Sequence, residues 1–235
     1  MKFDLFMEFA SPPFNCGTAA DAYKTGIETA VAADRLGFDA IWSAEHHFVG
    51  DYSRAAAPEM LLSAISQVTQ KIGLGFGILP LPLYNPIIAA EKLATLDALS
   101  QGRVLWGVGR GVTKMELGGF GVDMSDGRQM FLEKFSELAV ILKTGKFERN
   151  EEIFELSPRP SSELGKGWMA TVSPESIDIA VDLNLNIMTG PFKPWAMVER
   201  DIKRYRNLMA KKGQTGEASF TLAVYCDEDH DRARQ

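Results

Sequence analysis

The chain has 235 residues, of which 46% are hydrophobic and 24% are charged. This length fits one large domain or two small ones, and the composition is that of a globular protein with a sizeable core. The formal net charge of −6 argues against nucleic acid or an anionic membrane surface as the main partner.

Strand-type apolar segments alternate with longer amphipathic segments along the whole chain. The alternation predicts seven strands, at residues 3–9, 38–43, 72–79, 104–108, 168–172, 185–189 and 220–225. It predicts six helices between them, at residues 19–36, 58–69, 86–99, 129–142, 174–183 and 195–211. Residues 145–168 interrupt the rhythm as a hairpin or irregular insertion, and residues 227–235 resemble the start of one more helix.

Repeated strand–helix units imply parallel strands joined by right-handed crossovers. The candidate folds are an open doubly wound sheet and an α/β barrel of the TIM type, (β/α)₈, in a single domain over residues 1–235. A complete barrel needs eight strands, and seven are predicted. The last strand and helix of the barrel are therefore expected to be missing. Either the protein is a shortened relative of a longer barrel, or the chain is a fragment.

Location and redox state follow from a few residues. Cys16 and Cys226 lie far apart and show neither metal-binding nor redox spacing, so we expect two reduced thiols. Asp4 and Glu8 interrupt the N-terminal apolar run, which excludes the core of a signal peptide. No stretch approaches the ~20 apolar residues of a membrane span. We expect a cytoplasmic protein.

The segment "GVGRGV" at residues 107–112 follows the fourth predicted strand. A bidentate cation, Arg110, stands there between glycines whose backbone N–H groups are bare, which suits a phosphate or a carboxylate. A tight turn with a solvated arginine is an equally good interpretation of this motif alone. The glycine spacing does not match the dinucleotide-binding fingerprint.

The segment "SPES" at residues 173–176 begins a predicted helix with Ser173 as its N-cap. Helix N-termini bind anions through free N–H groups and the helix dipole. Taken alone, the serine indicates only a cap. Together with Arg110 at a neighbouring strand end, it predicts a phosphate-binding cradle.

The segment "EHHF" places two of the three histidines, His46 and His47, side by side after the second predicted strand. Adjacent strand residues point to opposite sides, so we expect only one of them to face a pocket. A metal site would need more ligands, and His230 lies at the far end of the chain. A structural histidine is the alternative, but proton transfer at neutral pH is favoured.

These motifs resemble, in the same order over essentially the whole chain, the bacterial luciferase-like flavin-dependent monooxygenases. The resemblance rests on "EHHF", "LP" at 79–80, "NP" at 85–86, "LDALSQGRVLWGVGRG" at 96–111, "FGVD" at 120–123 and "SPES". It implies a (β/α)₈ barrel that binds reduced FMN, supplied by a separate NAD(P)H:flavin reductase. It further implies oxidation of a small organic substrate by O₂ through a C4a-peroxyflavin. A barrel that lacks its last strand would expose sheet edges that need to be covered, so we expect a homodimer.

The resemblance also assigns roles by position. It implies that Arg110, Ser173 and Ser176 hold the FMN phosphate. His46 corresponds to a histidine implicated in proton transfer, and Glu45 lines the same pocket. Gly75 and Phe76 correspond to a non-proline cis peptide bond against the flavin ring.

Gly109 departs from the luciferase pattern, because luciferase has a reactive cysteine at this position. Thiol chemistry is therefore excluded there, and light emission is not a safe inference. Two alternatives stay open. One is a deazaflavin (F420)-dependent oxidoreductase of the same barrel superfamily, and the other is a non-catalytic flavin-binding protein.

Overall fold

The computed structural model describes residues 1–10, 17–50, 52–111, 113–159 and 164–234. Cys16 and Val112, which entered the sequence analysis, lie outside these ranges. The chain divides into two compact units, Met1–Gly167 and Trp168–Gln235. Each unit is built around its own set of parallel strands.

The first unit contains four neighbouring parallel strands in the order β1-β2-β3-β4. These strands are β1 (Asp4–Met7), β2 (Ala40–Ser43), β3 (Gly73–Pro80) and β4 (Val104–Gly109). The helices of this unit are α1 (Ala19–Leu36), α2 (Pro58–Val68), α3 (Pro86–Ser100), α4 (Lys114–Gly119) and α5 (Gly127–Thr144). Because all four strands are parallel, their carboxyl ends lie at the same edge of the sheet.

Local sequence signals explain where the long helices begin and end. Helix α1 starts with a capping box between Thr18 and Asp21 and ends at Gly37, which has a φ of 83°. Asn85 caps α3 by accepting the N–H of Ile87. The prediction for α1 therefore agrees with the structure at both ends. Helix α5 begins at Gly127, two residues before the predicted start.

The core of the first unit lies between its sheet and its helices. Ile41, Leu74 and Phe76 on the strands are fully buried, as are Leu62 on α2 and Leu93 on α3. Burial of such side chains contributes ~1.5–3 kcal/mol each relative to exposure. This packing fixes the strands, and with them the loops that follow their carboxyl ends.

Arg103 secures the opposite, amino-terminal edge of this sheet. It directly precedes β4, and its guanidinium donates to the carbonyl oxygens of Ser66, Thr69, Ile72 and Ser100 and to the Thr69 hydroxyl. One cation thus joins the C-terminal ends of α2 and α3 to the start of β3.

The predicted insertion contains an antiparallel hairpin, β5 (Lys146–Arg149) and β6 (Glu152–Glu155). Phe147 and Phe154 stack across it with ring centroids 5.3 Å apart. The turn uses Asn150 and Glu151 with positive φ angles of 51° and 67°. The hairpin alternative of the sequence analysis is therefore the observed one.

The second unit contains three parallel strands in the order β7-β8-β9. They are β7 (Trp168–Thr171), β8 (Asn186–Thr189) and β9 (Ala218–Phe220), joined by α6 (Pro174–Asp182) and α7 (Trp195–Lys211). Tyr205 of α7 is fully buried, and its hydroxyl donates to the Leu185 carbonyl at 2.7 Å. Each of the seven predicted strands thus has a counterpart among the described residues, although the last one is displaced along the chain.

The last strand differs from its prediction. The sequence indicated residues 220–225, whereas β9 pairs with β8 only over Ala218–Phe220. Leu222, Val224 and Tyr225 are exposed and belong to no strand. An apolar run becomes a strand only where a partner accepts its hydrogen bonds, and β8 ends at Thr189. The expected terminal helix is a short 3-10 turn at Arg232–Arg234.

Candidate active site

Chemically capable side chains collect beyond the carboxyl ends of the strands in the first unit. Glu8 follows β1, the "EHH" residues follow β2, and Arg110 follows β4. Glu116 joins them from α4. In parallel α/β barrels this edge carries the active site.

His46 lies between two carboxylates that come from different elements. Its Nδ1 is 3.0 Å from Oε1 of Glu116, and its Nε2 is 3.7 Å from Oε2 of Glu8. The Tyr52 ring lies edge-on to the imidazole, with centroids 5.6 Å apart. The first distance is a hydrogen bond and the second is an ion-pair distance without one.

Glu116 anchors this arrangement. Besides the His46 ring, its carboxylate accepts the His47 backbone N–H at 2.8 Å and the Thr113 hydroxyl. Burial alone would raise the pKa of Glu116, but the hydrogen bonds from Thr113, His47 and His46 outweigh burial and lower it. Glu116 is therefore ionised at neutral pH and accepts the Nδ1 proton of His46.

Glu8 has the opposite electrostatic character. Burial raises its pKa, and attraction to His46 together with hydrogen bonds offsets only part of this effect. Its Oε1 accepts the Tyr52 hydroxyl at 3.4 Å, whereas its Oε2 is buried without a hydrogen-bond partner among the described residues. An unsatisfied buried carboxylate oxygen is costly and calls for a chemical explanation.

His47 belongs to a second hydrogen-bonded group. Its Nε2 is 3.1 Å from Oε1 of Glu45, and Oε2 of Glu45 accepts the Tyr84 hydroxyl at 2.7 Å. Burial raises the pKa of Glu45, which is only 8% exposed, and burial with the neighbouring carboxylate raises the pKa of Tyr84. Both carboxylate oxygens of Glu45 thus have protein partners, so its flavin contact stays a prediction.

The two histidine side chains contact different carboxylates, but strand alternation is not the reason. Strand β2 ends at Ser43, so His46 and His47 lie in the following loop rather than on the strand. Strand alternation therefore does not orient them. Their separate carboxylates do so instead, and Phe48 next to them has a positive φ of 63°.

Two aromatic rings cover His47 on its outer side. The Phe120 ring meets the imidazole edge-on at 4.8 Å, and Phe48 packs against Phe120 at 5.3 Å. Both phenylalanines remain exposed. They form an apolar surface next to the titratable groups.

Arg110 presents its guanidinium to solvent. Its aliphatic stem is packed so closely on Gly127, the first residue of α5, that a Cβ there would be 3.3 Å from Cγ of Arg110. Among the described residues the guanidinium has no hydrogen-bonding or ion-pair partner. The neighbouring Gly111 has a φ of +81°, in the left-handed region that favours glycine. An unpaired cation with bare backbone beside it fits an anion such as a phosphate.

Ser173 and Ser176 form the predicted cap in the second unit. The Ser173 hydroxyl accepts the Ser176 N–H at 3.2 Å, and the Ser176 hydroxyl accepts the Ser173 N–H at 3.0 Å. This reciprocal capping box begins α6. Both side chains are half-buried, and their role in binding a phosphate stays a prediction.

The glycine-rich strand β3 is covered by a side chain of the protein itself. A Cβ on Gly75 would lie 2.3 Å from Cε3 of Trp42, and Phe76 is fully buried. The non-proline cis peptide bond joins Gly77 and Ile78, which corrects our expectation that it lies at Gly75–Phe76. The flavin contacts of Gly75 and Phe76 remain predictions.

Sequence reasoning missed Glu8, Glu116 and Tyr84 as members of the site. The pattern Thr113-x-x-Glu116 is a capping-box sequence and could have indicated the start of α4. Nothing local identified Glu8, which comes close to His46 only through the pairing of β1 with β2.

Two further observations concern metal ions and membranes. Within the ranges that the structure describes, no three His, Cys, Asp or Glu side chains are grouped so that they could hold a metal ion. No helix in those ranges combines the length and the apolar character needed to cross a membrane.

The family model for luciferase-like monooxygenases matches residues 1–235. The chain belongs to this family. Its resemblance on the motifs quoted above is thereby confirmed, and the expected barrel-type fold is confirmed by the solved structures below.

Two curated relatives of this luciferase-like protein have described activities. Limonene 1,2-monooxygenase of Rhodococcus erythropolis is 31% identical over 219 residues, which cover 89% of this chain and 56% of the relative. The oxygenase component of a flavin-dependent trigonelline monooxygenase of Acinetobacter baylyi is 29% identical over 201 residues, covering 81% and 54%. The chain thus spans about half the length of the curated relatives it matches.

Three solved structures share the fold. The monooxygenase RslO1 of Streptomyces bottropensis has a TM-score of 0.88 and 25% identity, covering 100% of this chain and 74% of its own. The oxygenating constituent of 3,6-diketocamphane monooxygenase of Pseudomonas putida, solved with FMN, has a TM-score of 0.84 at 20% identity, with coverage of 100% and 70%. An F420-dependent secondary alcohol dehydrogenase has a TM-score of 0.79 at 21% identity, with coverage of 99% and 72%.

Proposed function

We propose that this luciferase-like protein binds reduced FMN and oxidises a small organic substrate with O₂. The observation that carries the proposal is the guanidinium of Arg110 at the carboxyl end of β4, which no described residue pairs, in the first unit that also holds His46. A free cation suits the flavin phosphate, and a histidine between two carboxylates suits proton transfer.

In this proposal the chain's own residues would hold the cofactor in the following way. Arg110 would bind the phosphate with two parallel N–H groups, and Ser173 with Ser176 would add the capped start of α6. Gly109, Gly75 and Phe76 would lie along the ring through their backbone, because Trp42 covers Gly75 and the Phe76 side chain is fully buried, and Glu45 would lie nearby. Reduced FMN, when bound, supplies the electrons with which O₂ is activated.

His46 with its carboxylate neighbours Glu116 and Glu8, called the histidine network below, would transfer the proton. Ionised Glu116 holds the Nδ1 proton of His46, so Nε2 is the atom that accepts or donates a proton during the reaction. The exposed rings of Phe48 and Phe120 would exclude water next to this network and favour an apolar substrate. With glycine at position 109, no thiol takes part there.

A separate NAD(P)H:flavin reductase is the proposed partner. The related trigonelline enzyme is named as an oxygenase component, which supports a two-component system. A homodimer is part of the same proposal.

Replacement of Arg110 tests the phosphate site. FMN and riboflavin differ only in the phosphate, so Arg110→Ala should weaken FMN binding by about 10- to 100-fold, the cost of one charge-assisted contact, and leave riboflavin binding nearly unchanged. Lys114→Ala is the matched control, because it removes an exposed charge at the start of α4. Equal losses for both ligands, or an equal effect of Lys114→Ala, would contradict the assignment.

The F420-dependent alternative is supported by likeness of fold to the alcohol dehydrogenase. It is distinguished by comparing substrate oxidation with reduced FMN plus O₂ against hydride transfer with F420 under anaerobic conditions. Binding of FMN without turnover of aldehydes, ketones, terpenes or sulfonates would favour a flavin-binding protein.

A further inference from the structure

Glu8 is the one member of the histidine network that the proposed mechanism leaves unexplained. Its Oε1 accepts the Tyr52 hydroxyl, but its buried Oε2 has no hydrogen bond to any described residue and faces Nε2 of His46 at 3.7 Å. Glu116 already occupies Nδ1 on the other side of the ring. Oε2 of Glu8 is therefore directed at the atom of His46 that is free to exchange a proton.

We propose that Glu8 is the proton-exchange partner of His46, taking the proton that the imidazole receives at Nε2 and returning it. In this step the Nε2–H bond breaks and an O–H bond forms on Oε2 of Glu8. An imidazolium and a carboxylate become a neutral imidazole and a carboxylic acid. Glu8 acts only through His46, so it is a positioning residue rather than a catalytic one.

The distance is compatible with this exchange. A shift of about 1 Å brings the 3.7 Å separation to hydrogen-bonding length, and such contacts are often long before substrate is bound. His46 and Glu8 both lie at the ends of adjacent strands, so small movements of the loop at residues 44–50 are sufficient.

The surrounding groups favour Glu8 over its neighbours for this role. Burial raises the pKa of Glu8 toward the range in which it can carry a proton, while hydrogen bonds lower that of Glu116 below it. Burial and the nearby carboxylates raise the pKa of Tyr52, so its hydroxyl remains a donor. Glu45 is occupied by His47 and Tyr84.

The inference rests on the proposed function for the role of His46, and its first test needs no flavin. Carboxyl ¹³C NMR follows the titration of Glu8, with Glu8→Gln identifying its signal. His46→Gln should raise the pKa of Glu8, because attraction to His46 lowers it, and Glu116→Gln should reduce it, because that carboxylate repels Glu8. His47→Gln is the matched control and should leave it unchanged.

The second test follows turnover as a function of pH. Glu8→Gln should reduce kcat by about tenfold, part of the ~100-fold or more that proton transfer by a positioned group contributes. It should leave the KM for reduced FMN unchanged and remove one limb of the pH profile, and Glu8→Asp should restore part of the activity.

Three outcomes decide the matter. The expected Glu8 titration shifts together with the altered pH profile support the exchange. The same Glu8 titration in the wild type and His46→Gln overturns it, as does an unchanged pH profile in Glu8→Gln when His46→Gln abolishes turnover. Absence of FMN-dependent turnover in the wild type contradicts the proposed function, and an unshifted Glu8 titration in His46→Gln would still overturn the exchange.

Discussion

Arg103 and Arg110 flank strand β4, and within the described ranges only the Arg103 guanidinium is hydrogen-bonded by the fold. Arg103 donates to five acceptors at the amino-terminal edge of the sheet, whereas the Arg110 guanidinium has no partner among the described residues. Arg103 is thus structural, whereas ligand binding by Arg110 is part of the proposed function.

This contrast predicts that the two arginines contribute very differently to the free energy of unfolding. Arg103→Ala leaves several carbonyl oxygens without a donor and should lower the free energy of unfolding by about 2–3 kcal/mol. Arg110→Ala should change it by less than about 0.5 kcal/mol, as is usual for an exposed side chain. Urea unfolding of both variants measures the difference. A similar loss in both would show that Arg110 also has a structural role.

The close contact between Gly75 and Trp42 predicts that Gly75 tolerates no side chain. In Gly75→Ala the new Cβ would overlap the buried indole ring, and overpacking of this kind costs about 1–3 kcal/mol. Gly118→Ala is the control, because nothing lies within 4 Å of its Cβ position in α4. Urea unfolding followed by tryptophan fluorescence measures both, and equal stability of the two variants would contradict the packing.

The Tyr84 hydroxyl should stabilise the buried pair of Glu45 and His47. Tyr84→Phe leaves Oε2 of the buried Glu45 without its 2.7 Å hydrogen bond, which should cost about 1–3 kcal/mol. Tyr225→Phe removes an exposed hydroxyl and serves as the control. Thermal unfolding at neutral pH compares the two, and an unchanged midpoint for Tyr84→Phe would argue against the bond.

The pKa of Glu116 is lowered in the fold, and that of Glu8 is raised, so their glutamine variants should differ in sign. The hydrogen bonds of ionised Glu116 stabilise the protein above the ordinary glutamate pKa, and this contribution disappears as the pH falls through the lowered pKa. Glu116→Gln should therefore destabilise the protein at neutral pH, with a difference that shrinks in acid.

Glu8→Gln should instead raise the free energy of unfolding at neutral pH. Burial disfavours the ionised form of the wild-type carboxyl, and this cost is relieved as the pH falls through the raised pKa. The variant should therefore lose its advantage in acid. Urea unfolding at several pH values gives both curves, and the same sign for the two variants would contradict the assigned pKa directions.

The sequence predicted the fold well where local signals define an element. Thr18 and Gly37 mark both ends of α1, and the alternation of strands and helices predicts the parallel strands of the described residues up to β8. It failed at β9, because an apolar run does not reveal where the partner strand stops accepting hydrogen bonds.

The site could be predicted only in part. Histidine is scarce in this chain, so the "EHH" segment was conspicuous, and its place after β2 was correct. Glu116 lies 70 residues from His46 in sequence, and its contact depends on how α4 packs. The tertiary packing of Trp42 on Gly75 is likewise invisible in the spacing of the glycines.

The different roles of the two ends of β4 have a consequence for evolution. Arg103 stabilises the first unit at the amino-terminal edge of its sheet. This edge lies away from the loops that carry the histidines. Substitutions in those loops that spare the hydrogen bonds of Glu45, Tyr84 and Glu116 therefore leave this stabilisation intact. A scaffold of this kind can diversify its chemistry at little cost to folding.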